Sequence, residues 1–285
     1  MCKERFVNPF TDFGFKRLFG TEANKDILIH FLNAILDDED DIVEITYLNV
    51  EKLGQTERER KAVYDLYCRT ENGDHIIVEM QKAWQEHFID RSIFYSARAI
   101  DDAAKKGAWD FNLPKIYTVC LLNFEPPEFA GEEKCKHTLR LCDVTTGRVF
   151  SDKLTYVFLE MDKFRKEMDE LESLSDKWLY VIKNLYLFDS YPSALKEKIF
   201  KKFFEEARIS AFTPEEQFAY EESLKDMRDY SNTLASAEKK GREEGREEGR
   251  EEEKIRMARE MKGDGEPIEK IMRYTGLSAE DIEKL

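Results

Sequence analysis

The chain lacks the usual signs of secretion, of membrane insertion and of a structural disulfide or zinc framework. Its five cysteines form no C-x-x-C pair, and its four histidines lack the spacing of zinc ligands. No apolar run approaches the roughly 18 residues that span a bilayer, and the N-terminal MCKERFVNPF has no apolar signal segment. We therefore expect a protein of the reducing cytoplasm that does not enter a membrane.

Positive charge is also in short supply. The chain has 45 Lys and Arg residues against 60 Asp and Glu residues, a formal net charge of -15. Because binding to phosphate needs positive potential at the contact face, this balance disfavours tight non-specific binding to a nucleic acid duplex. It leaves room for a local basic cleft and for acids that hold metal ions, since a bound cation reverses the local field.

The order of the apolar patterns predicts a mixed α/β sheet with helices on its faces. Two short helices, broken near Gly20, are expected within residues 11–36, and a longer helix over residues 84–106 is expected to end at Gly107. The polar residues 51–61 are expected to be an exposed, mobile excursion. Strands are predicted at residues 42–50, 63–69, 75–81, 115–124, 137–144 and 148–160.

From residue 162 onward the pattern becomes helical. We expect a sheet domain over residues 1–161, a helical region over 162–238, a charged Gly-Arg-Glu repeat helix over 239–262 and a small helix-turn-helix-like tail over 263–285. In the repeat GREE GREE GREE each glycine costs about 0.8 to 1 kcal/mol of helix stability. The repeat is either a solvated spacer or a coiled-coil-like surface for self-association. In the tail, Ser278 resembles a helix cap after Gly276, but the second helix is acidic.

A β-hairpin around Asn72-Gly73 carries the residues of chemical interest. A two-residue loop would pair Asp65 with Met80 and place Glu79 on the opposite face. A three-residue loop with Gly73 left-handed would instead pair Asp65 with Glu79, with Cβ atoms roughly 5 Å apart, and would put Gln81 on the same face. The two acids can cooperate only in the second register.

Two carboxylates at that separation repel each other unless a cation lies between them, and hard oxygen ligands favour Mg²⁺ or Mn²⁺. The backbone carbonyl of Met80 is a candidate further ligand. A divalent ion at such a site can lower the pKa of bound water and neutralise charge on a departing oxygen, which suits hydrolysis of a phosphodiester. Acids on the solvent face of a hairpin are ordinary, but Asp65 and Glu79 interrupt apolar runs, where unpaired charge is expensive.

Together these residues resemble the PD-(D/E)XK nuclease superfamily and, within it, the Rpn-type recombination-promoting nucleases described as transposases. The resemblance rests on Asp65, Glu79 and Gln81 in a D-x13-E-x-Q pattern, on PFTDFGFKRLFG and FLNAIL before it, and on VEMQ, RSIFYSARAI and the charged repeat after it. It implies a restriction-endonuclease-like αβββαβ core, a mixed sheet flanked by helices, with an all-helical C-terminal extension. It also implies metal-dependent DNA endonuclease activity with a role in recombination or transposition.

Residue by residue, Asp65 matches the metal-binding aspartate of the superfamily and Glu79 matches the first acid of the (D/E)XK pair. Gln81 stands where lysine is usual, and a neutral amide orients water without supplying lysine's positive charge. An RNase-H-like transposase is a poorer match, because no convincing third acid follows on a later helix.

A cation can come from elsewhere in the sequence. Lys61 shares strand parity with Asp65, whereas Lys82 has the opposite parity and should point away from the site. Arg91, Tyr95 and Arg98 share a helical face that can meet phosphate or, alternatively, pack on the sheet.

Asp12 and Lys16 have helical i, i+4 spacing, and we favour a structural ion pair there over metal binding by Asp12. The sequence thus predicts a DNA-cleaving enzyme, with the C-terminal helices as the candidate surface for a homo-oligomer. The alternative is a nuclease-fold protein that binds nucleic acid or protein without efficient catalysis.

Overall fold

The computed structural model describes residues 4–36, 41–49, 51–52, 62–103 and 112–285. Their strands are β1 (Ile45–Tyr47), β2 (Glu51–Lys52), β3 (Ala62–Val63), β4 (Leu66–Thr70), β5 (His75–Gln81), β6 (Ile116–Leu122), β7 (Lys136–Cys142) and β8 (Val149–Glu160). Their α-helices are α1 (Asp12–Phe19), α2 (Lys25–Ile35), α3 (Phe88–Ala103), α4 (Leu174–Asn184), α5 (Lys198–Glu206), α6 (Pro214–Gly263), α7 (Ile268–Thr275) and α8 (Ala279–Lys284).

Six strands form one mixed sheet in the order β1-β4-β5-β6-β8-β7. Strands β1, β4 and β5 pair antiparallel, β5, β6 and β8 run parallel, and β7 returns antiparallel along β8. Helix α3 connects the parallel strands β5 and β6, as a crossover between parallel neighbours requires. The predicted α/β fold class, with a mixed sheet flanked by helices and a helical C-terminal extension, is confirmed.

Both faces of the sheet are covered, because its central strands are apolar on both sides. On one face Tyr67, Ile77 and Ile116 pack against Ala99 of α3. On the other face Leu66 pairs with Val78, and a Cβ built on Gly20, at the end of α1, would lie 3.0 Å from Leu66. The strand ends near Gln81 therefore lie between α3 and the N-terminal helices.

The helices beyond the sheet extend the core on the side of α1 and α2. Trp178 of α4 is completely buried and meets the rings of Phe19, Phe31, Phe200 and Phe203, which come from α1, α2 and α5. Burying aromatic side chains of this size is the largest kind of apolar contribution that a core receives. The N-terminal helices and the helices after the sheet thus share one aromatic core.

The chain divides into two compact units, residues 1–224 and 225–285. In the second unit, Ala258, Ile271 and Ile282 form a small buried cluster. Gly276 is left-handed with φ 73°, and the Ser278 side chain accepts a hydrogen bond from the Asp281 backbone N–H, so the predicted turn and cap are confirmed. The Gly-Arg-Glu repeat lies inside α6, fully exposed, and self-association through it stays a prediction. No helix in the described part of the chain is long and apolar enough to cross a membrane.

Three local predictions differ from the structure. The first strand is limited to Ile45–Tyr47, shorter than the predicted 42–50. Residues 51–52, expected in the polar excursion, instead form β2 and pair with β3, while 53–61 and Gly107 lie outside the described residues. Helix α3 begins at Phe88 because His87 takes a left-handed φ of 61°, which no helix continues.

Candidate active site

The turn of the β4–β5 hairpin has the three-residue loop that cooperation of the two acids requires. Gly73 has φ 87°, its N–H donates to the Thr70 carbonyl at 3.0 Å, and the Thr70 N–H donates to the Asp74 carbonyl at 2.8 Å. Leu66 pairs with Val78 and Arg69 with His75, and continuing this register by one residue sets Asp65 opposite Glu79. The prediction of a bulged loop with Gly73 left-handed is confirmed.

Asp65 and Glu79 are locked together by hydrogen bonds from each other's strand. The Asp65 backbone N–H donates to Glu79 Oε1 at 3.3 Å, and the Met80 backbone N–H donates to Asp65 Oδ2 at 2.7 Å. The Glu79 carboxylate thus accepts a hydrogen bond from the backbone of Asp65. The Asp65 carboxylate accepts one from the backbone of the residue that follows Glu79. The expectation that Asp65 lies inside a strand was wrong, because its N–H bonds a side chain and the chain bends there between β3 and β4.

Gln81 follows on the same face of β5, as strand alternation predicts. Its side-chain Nε2 donates to Glu79 Oε2 at 3.4 Å, a long hydrogen bond. Asp65, Glu79 and Gln81 therefore form a continuous polar cluster. Met80 joins this cluster through its backbone N–H, which donates to Asp65.

Burial leaves this cluster short of compensation for its negative charge. Glu79 is 5% exposed, and desolvation, followed by repulsion from Asp65, raises the pKa of its carboxyl. Desolvation likewise raises the pKa of Asp65, against the lowering effect of its hydrogen bond from Met80. Two close carboxyl groups with raised pKa values mark a place where an added cation is favourable.

Three cationic side chains act on the two carboxyls through space. The charge of Arg91 lowers the pKa of Glu79, and the charges of Lys16 and Lys82 lower the pKa of Asp65. None of the three forms an ion pair with Asp65 or Glu79 among the described residues. Lys16 instead pairs with Asp12 at 3.0 Å, the predicted i, i+4 ion pair, while the Thr11 side chain caps α1.

The three predicted phosphate contacts on α3 each have a partner close by in the chain or the fold. The guanidinium of Arg91 bonds Gln85 at 2.6 Å and lies over the Phe88 ring. Tyr95 packs edge-on against Tyr64 with ring centroids 5.0 Å apart, and Arg98 lies over Phe94 and contacts Asp101 at 3.9 Å. Of the residues on this helical face, Arg91 is the one whose charge lowers the pKa of Glu79. Lys61 is outside the described residues.

Strand alternation did not predict that Lys82 or Cys120 would lie near the carboxyls of Asp65 and Glu79. Lys82 was predicted to point away, but β5 ends at Gln81, so strand parity no longer governs the residue that follows. Cys120 pairs with Glu79 in the sheet register, and burial followed by the charge of Glu79 raises the pKa of its thiol. The parallel pairing of β5 with β6 was predictable, but its register was not.

The donor set suits a cation that brings its own water ligands. Within the described residues, no three His, Cys, Asp or Glu side chains come together as a metal-binding group. Mg²⁺ is commonly held by one or two carboxylates, with waters and substrate phosphate oxygens completing its shell. One buried and one partly buried carboxyl, both without an ion-pair partner among the described residues, supply hard oxygen ligands that fit Mg²⁺ or Mn²⁺.

Residues 9–237 match the family described as PD-(D/E)XK nuclease family transposase. Since this match spans most of the chain, the protein belongs to that family. No curated protein and no solved structure matches the chain. Membership assigns a nuclease- or transposase-related role, for which DNA is the substrate that the family implies.

Proposed function

We propose that the protein is a DNA endonuclease that hydrolyses phosphodiester bonds with the help of Mg²⁺ or Mn²⁺, in recombination or transposition. The observation that supports this most strongly is the pair of carboxyls at the end of the hairpin. Asp65 and Glu79 are fixed side by side by each other's backbone, partly or fully buried, with no ion-pair partner among the described residues. Such an arrangement is costly unless a cation shares it.

In this proposal Asp65 and Glu79 hold the ion, with the carbonyl of Met80 as a candidate further ligand. When bound, the ion lowers the pKa of a water and stabilises charge on the phosphate and leaving oxygen. The backbone bonds from Met80 and Asp65 keep the two carboxylates in place before any ion or substrate arrives. Such preorganisation avoids a reorganisation cost during the reaction.

Gln81 takes the orienting part of the usual lysine's role. Its amide bonds Glu79 and can direct a second donor or its oxygen toward a water. The missing positive charge comes from Arg91, whose field already reaches Glu79, and from Lys16 and Lys82, whose fields reach Asp65. These three cations, with Lys61, are the proposed contacts for the phosphate next to the cut bond, and Tyr95 and Arg98 continue that helix face.

The second candidate is a nuclease-fold protein that binds DNA without efficient cleavage. The observation that favours it is Gln81, because an amide does not stabilise the charge that develops on phosphate as lysine does. This candidate keeps the same binding surface and the same metal ligands. It differs in the rate of the chemical step.

A plasmid-nicking assay with Mg²⁺ or Mn²⁺ tests the proposal. The native chain should nick supercoiled DNA, and Asp65→Ala and Glu79→Ala should each lower the rate by at least about 100-fold, as expected when a major transition-state contact is removed. The exposed acid variant Glu128→Ala is the matched control and should keep the native rate. Activity that survives loss of Asp65 or Glu79 would remove the proposed site. DNA binding without cleavage under either metal would leave the second candidate.

A further inference from the structure

The hairpin of β7 and β8 projects beyond the rest of the sheet. Residues 154–160 of β8 pair with β6, whereas Val149 and Ser151 pair with β7 across an irregular register. Asp143 closes the tip, where its side chain accepts hydrogen bonds from the Thr145 and Thr146 N–H groups. We call residues 141–153, which pair with no third strand among the described residues, the ribbon.

The ribbon exposes apolar side chains that a solvated hairpin would not keep. Every residue from 141 to 150 is exposed, and Phe150 and Val144 are 84% and 96% exposed. Leu141 and Val149 are also exposed, at 48% and 49%. A two-stranded ribbon is marginally stable in water, and exposed apolar side chains concentrated in one hairpin mark a contact surface.

The ribbon also carries positive charge, from Arg148 and Lys153. Asp143 is occupied by the tip and Asp152 pairs with Lys115 at 3.4 Å. Arg148 forms no ion pair within the described residues, and Lys153 lies near it in the chain. The surface that would meet the ribbon should therefore be apolar and acidic.

One such surface lies on the protein itself, on the solvent side of α3. Asp90, Ile93, Phe94, Ala97 and Asp101 are all exposed and follow the i, i+3, i+4, i+7, i+11 spacing of a single helical stripe. The acids of this stripe are weakly engaged: Asp90 lies 3.4 Å from exposed His87, and Asp101 lies 3.9 Å from Arg98. We call these five residues the outer face of α3.

We propose that the ribbon of one copy binds the outer face of α3 on a second copy, so that two chains exchange ribbons in a symmetric dimer. The apolar residues of the two surfaces meet, and Arg148 and Lys153 approach Asp90 and Asp101. An interface in which each copy presents both complementary surfaces is what a twofold axis requires. The dimer does not depend on whether the chain cleaves DNA.

The position of the ribbon argues against DNA as its partner. β8 runs parallel to β5 through β6, so the ribbon leaves the sheet at the end where β5 begins. Glu79 is in register with Phe158, eight residues from Phe150, or roughly 26 Å along the strands. Between the two, the outer face of α3 is apolar and acidic, which repels phosphate.

Directed cross-linking tests the pairing in the full-length chain. Both populations carry Cys2→Ser and Cys135→Ser; the first retains the exposed Cys142, and the second carries Cys142→Ser with Ala97→Cys. When they are mixed and treated with a short bismaleimide, a covalent heterodimer should appear on a denaturing gel at several times the yield of a mixture with Val43→Cys in place of Ala97→Cys. Val43 is exposed and lies near β1, at the edge of the sheet opposite β7. The yield with Val43→Cys therefore measures cross-linking by random collision.

Disruption of the ribbon provides the second measurement. Phe150→Ser in the first population should lower the heterodimer yield at least severalfold, whereas Val43→Ser should not, and high salt should lower the yield as charges are screened. A heterodimer yield no higher than the Val43→Cys mixture overturns the proposal. So does the finding that Phe150→Ser and Arg148→Glu weaken binding of duplex DNA in EDTA without any effect on cross-linking, because the ribbon would then be a nucleic acid contact.

Discussion

Glu79 and Glu160 stand in nearly equivalent places on the sheet but have opposite surroundings. The register Gln81–Leu122–Glu160 puts both glutamates on the α3 face, near the ends of the parallel strands β5 and β8. The Glu160 side chain is fully buried, and its Oε1 lies 2.6 Å from His137 Nε2 and 3.0 Å from Lys163 Nζ. Lys163 also donates to the Phe129 carbonyl at 2.9 Å. Glu79 has Asp65 as its neighbour, and no cation among the described residues lies in hydrogen-bond contact with it.

The difference shows how one sheet uses a buried acid in two ways. At Glu160 the protein supplies the compensating cation itself, Lys163, although Glu160 Oε2 has no hydrogen-bond partner among the described residues. At Glu79 the described residues supply a second acid, an amide and distant cations, and none of these cations contacts the carboxylate. Under the proposed function, the Glu79 cluster serves catalysis and the ion-paired Glu160 cluster serves stability.

The largest expected effect separates the two glutamates by activity. Glu79→Gln should lower the rate of plasmid nicking by at least about 100-fold, because the shared cation loses one of its two carboxylates. Lys163→Met should keep the native rate per folded molecule. Equal losses in the two variants, at matched folded fractions measured by circular dichroism, would break the distinction.

Stability should respond in the opposite sense. Lys163→Met leaves the buried Glu160 without its ammonium partner and should cost about 3 to 5 kcal/mol of unfolding free energy, measured by urea denaturation. In metal-free buffer, Glu79→Gln should cost nothing or should stabilise, since a neutral amide replaces a buried carboxyl whose ionised form has no cationic partner in contact among the described residues. A stability loss in Glu79→Gln as large as that in Lys163→Met would contradict this account.

The pH dependence of the metal-free chain follows from the raised pKa of Glu79. The folded state holds this proton to a higher pH than the unfolded state, whose ordinary value is 4.5, so stability should fall as pH rises above that value. Mg²⁺ requires the ionised carboxylates, so its stabilisation should grow with pH, reaching about 2.7 kcal/mol at 100 times the dissociation constant. Thermal melts at several pH values check both trends, with Glu79→Gln as the control that should lose them.

The smallest effect concerns the turn that sets the register. Gly73→Ala should cost about 1 kcal/mol in urea unfolding, because alanine is strained at φ 87° although no atom lies within 4 Å of the new Cβ. Gly245→Ala in the exposed helix α6 is the matched control and should stabilise slightly, since its backbone is helical. No loss in Gly73→Ala would show that the left-handed turn does not hold the register.

The sequence predicted the hairpin because its signals are local. Asn72-Gly73 between two β-rich runs specifies a turn, and strand alternation places Asp65, Glu79 and Gln81 on one face when the loop has three residues. The order of helices and strands likewise predicted the mixed sheet. The same alternation misplaced Asp65 inside a strand, because its N–H bonds the Glu79 side chain and not a neighbouring strand.

Contacts that join distant segments could not be predicted in this way. Nothing in the pattern of residues 137–163 pairs His137 and Lys163 with Glu160, since that cluster depends on the register of β7 with β8. The effect of Lys16 on Asp65 depends on how α1 packs across the start of β4. Side-chain clusters of this kind follow from tertiary packing, which a single sequence does not encode locally.

The central claim is that Asp65 and Glu79 share one divalent cation. Electron paramagnetic resonance of Mn²⁺ titrated into the full-length chain measures it directly, with Asp65→Asn and Glu79→Gln compared under the same conditions. We expect the native protein to bind one Mn²⁺ ion per chain, in addition to any weak binding that all three proteins share. Both variants should lose this one ion. Equal Mn²⁺ binding by the native chain and both variants would contradict it.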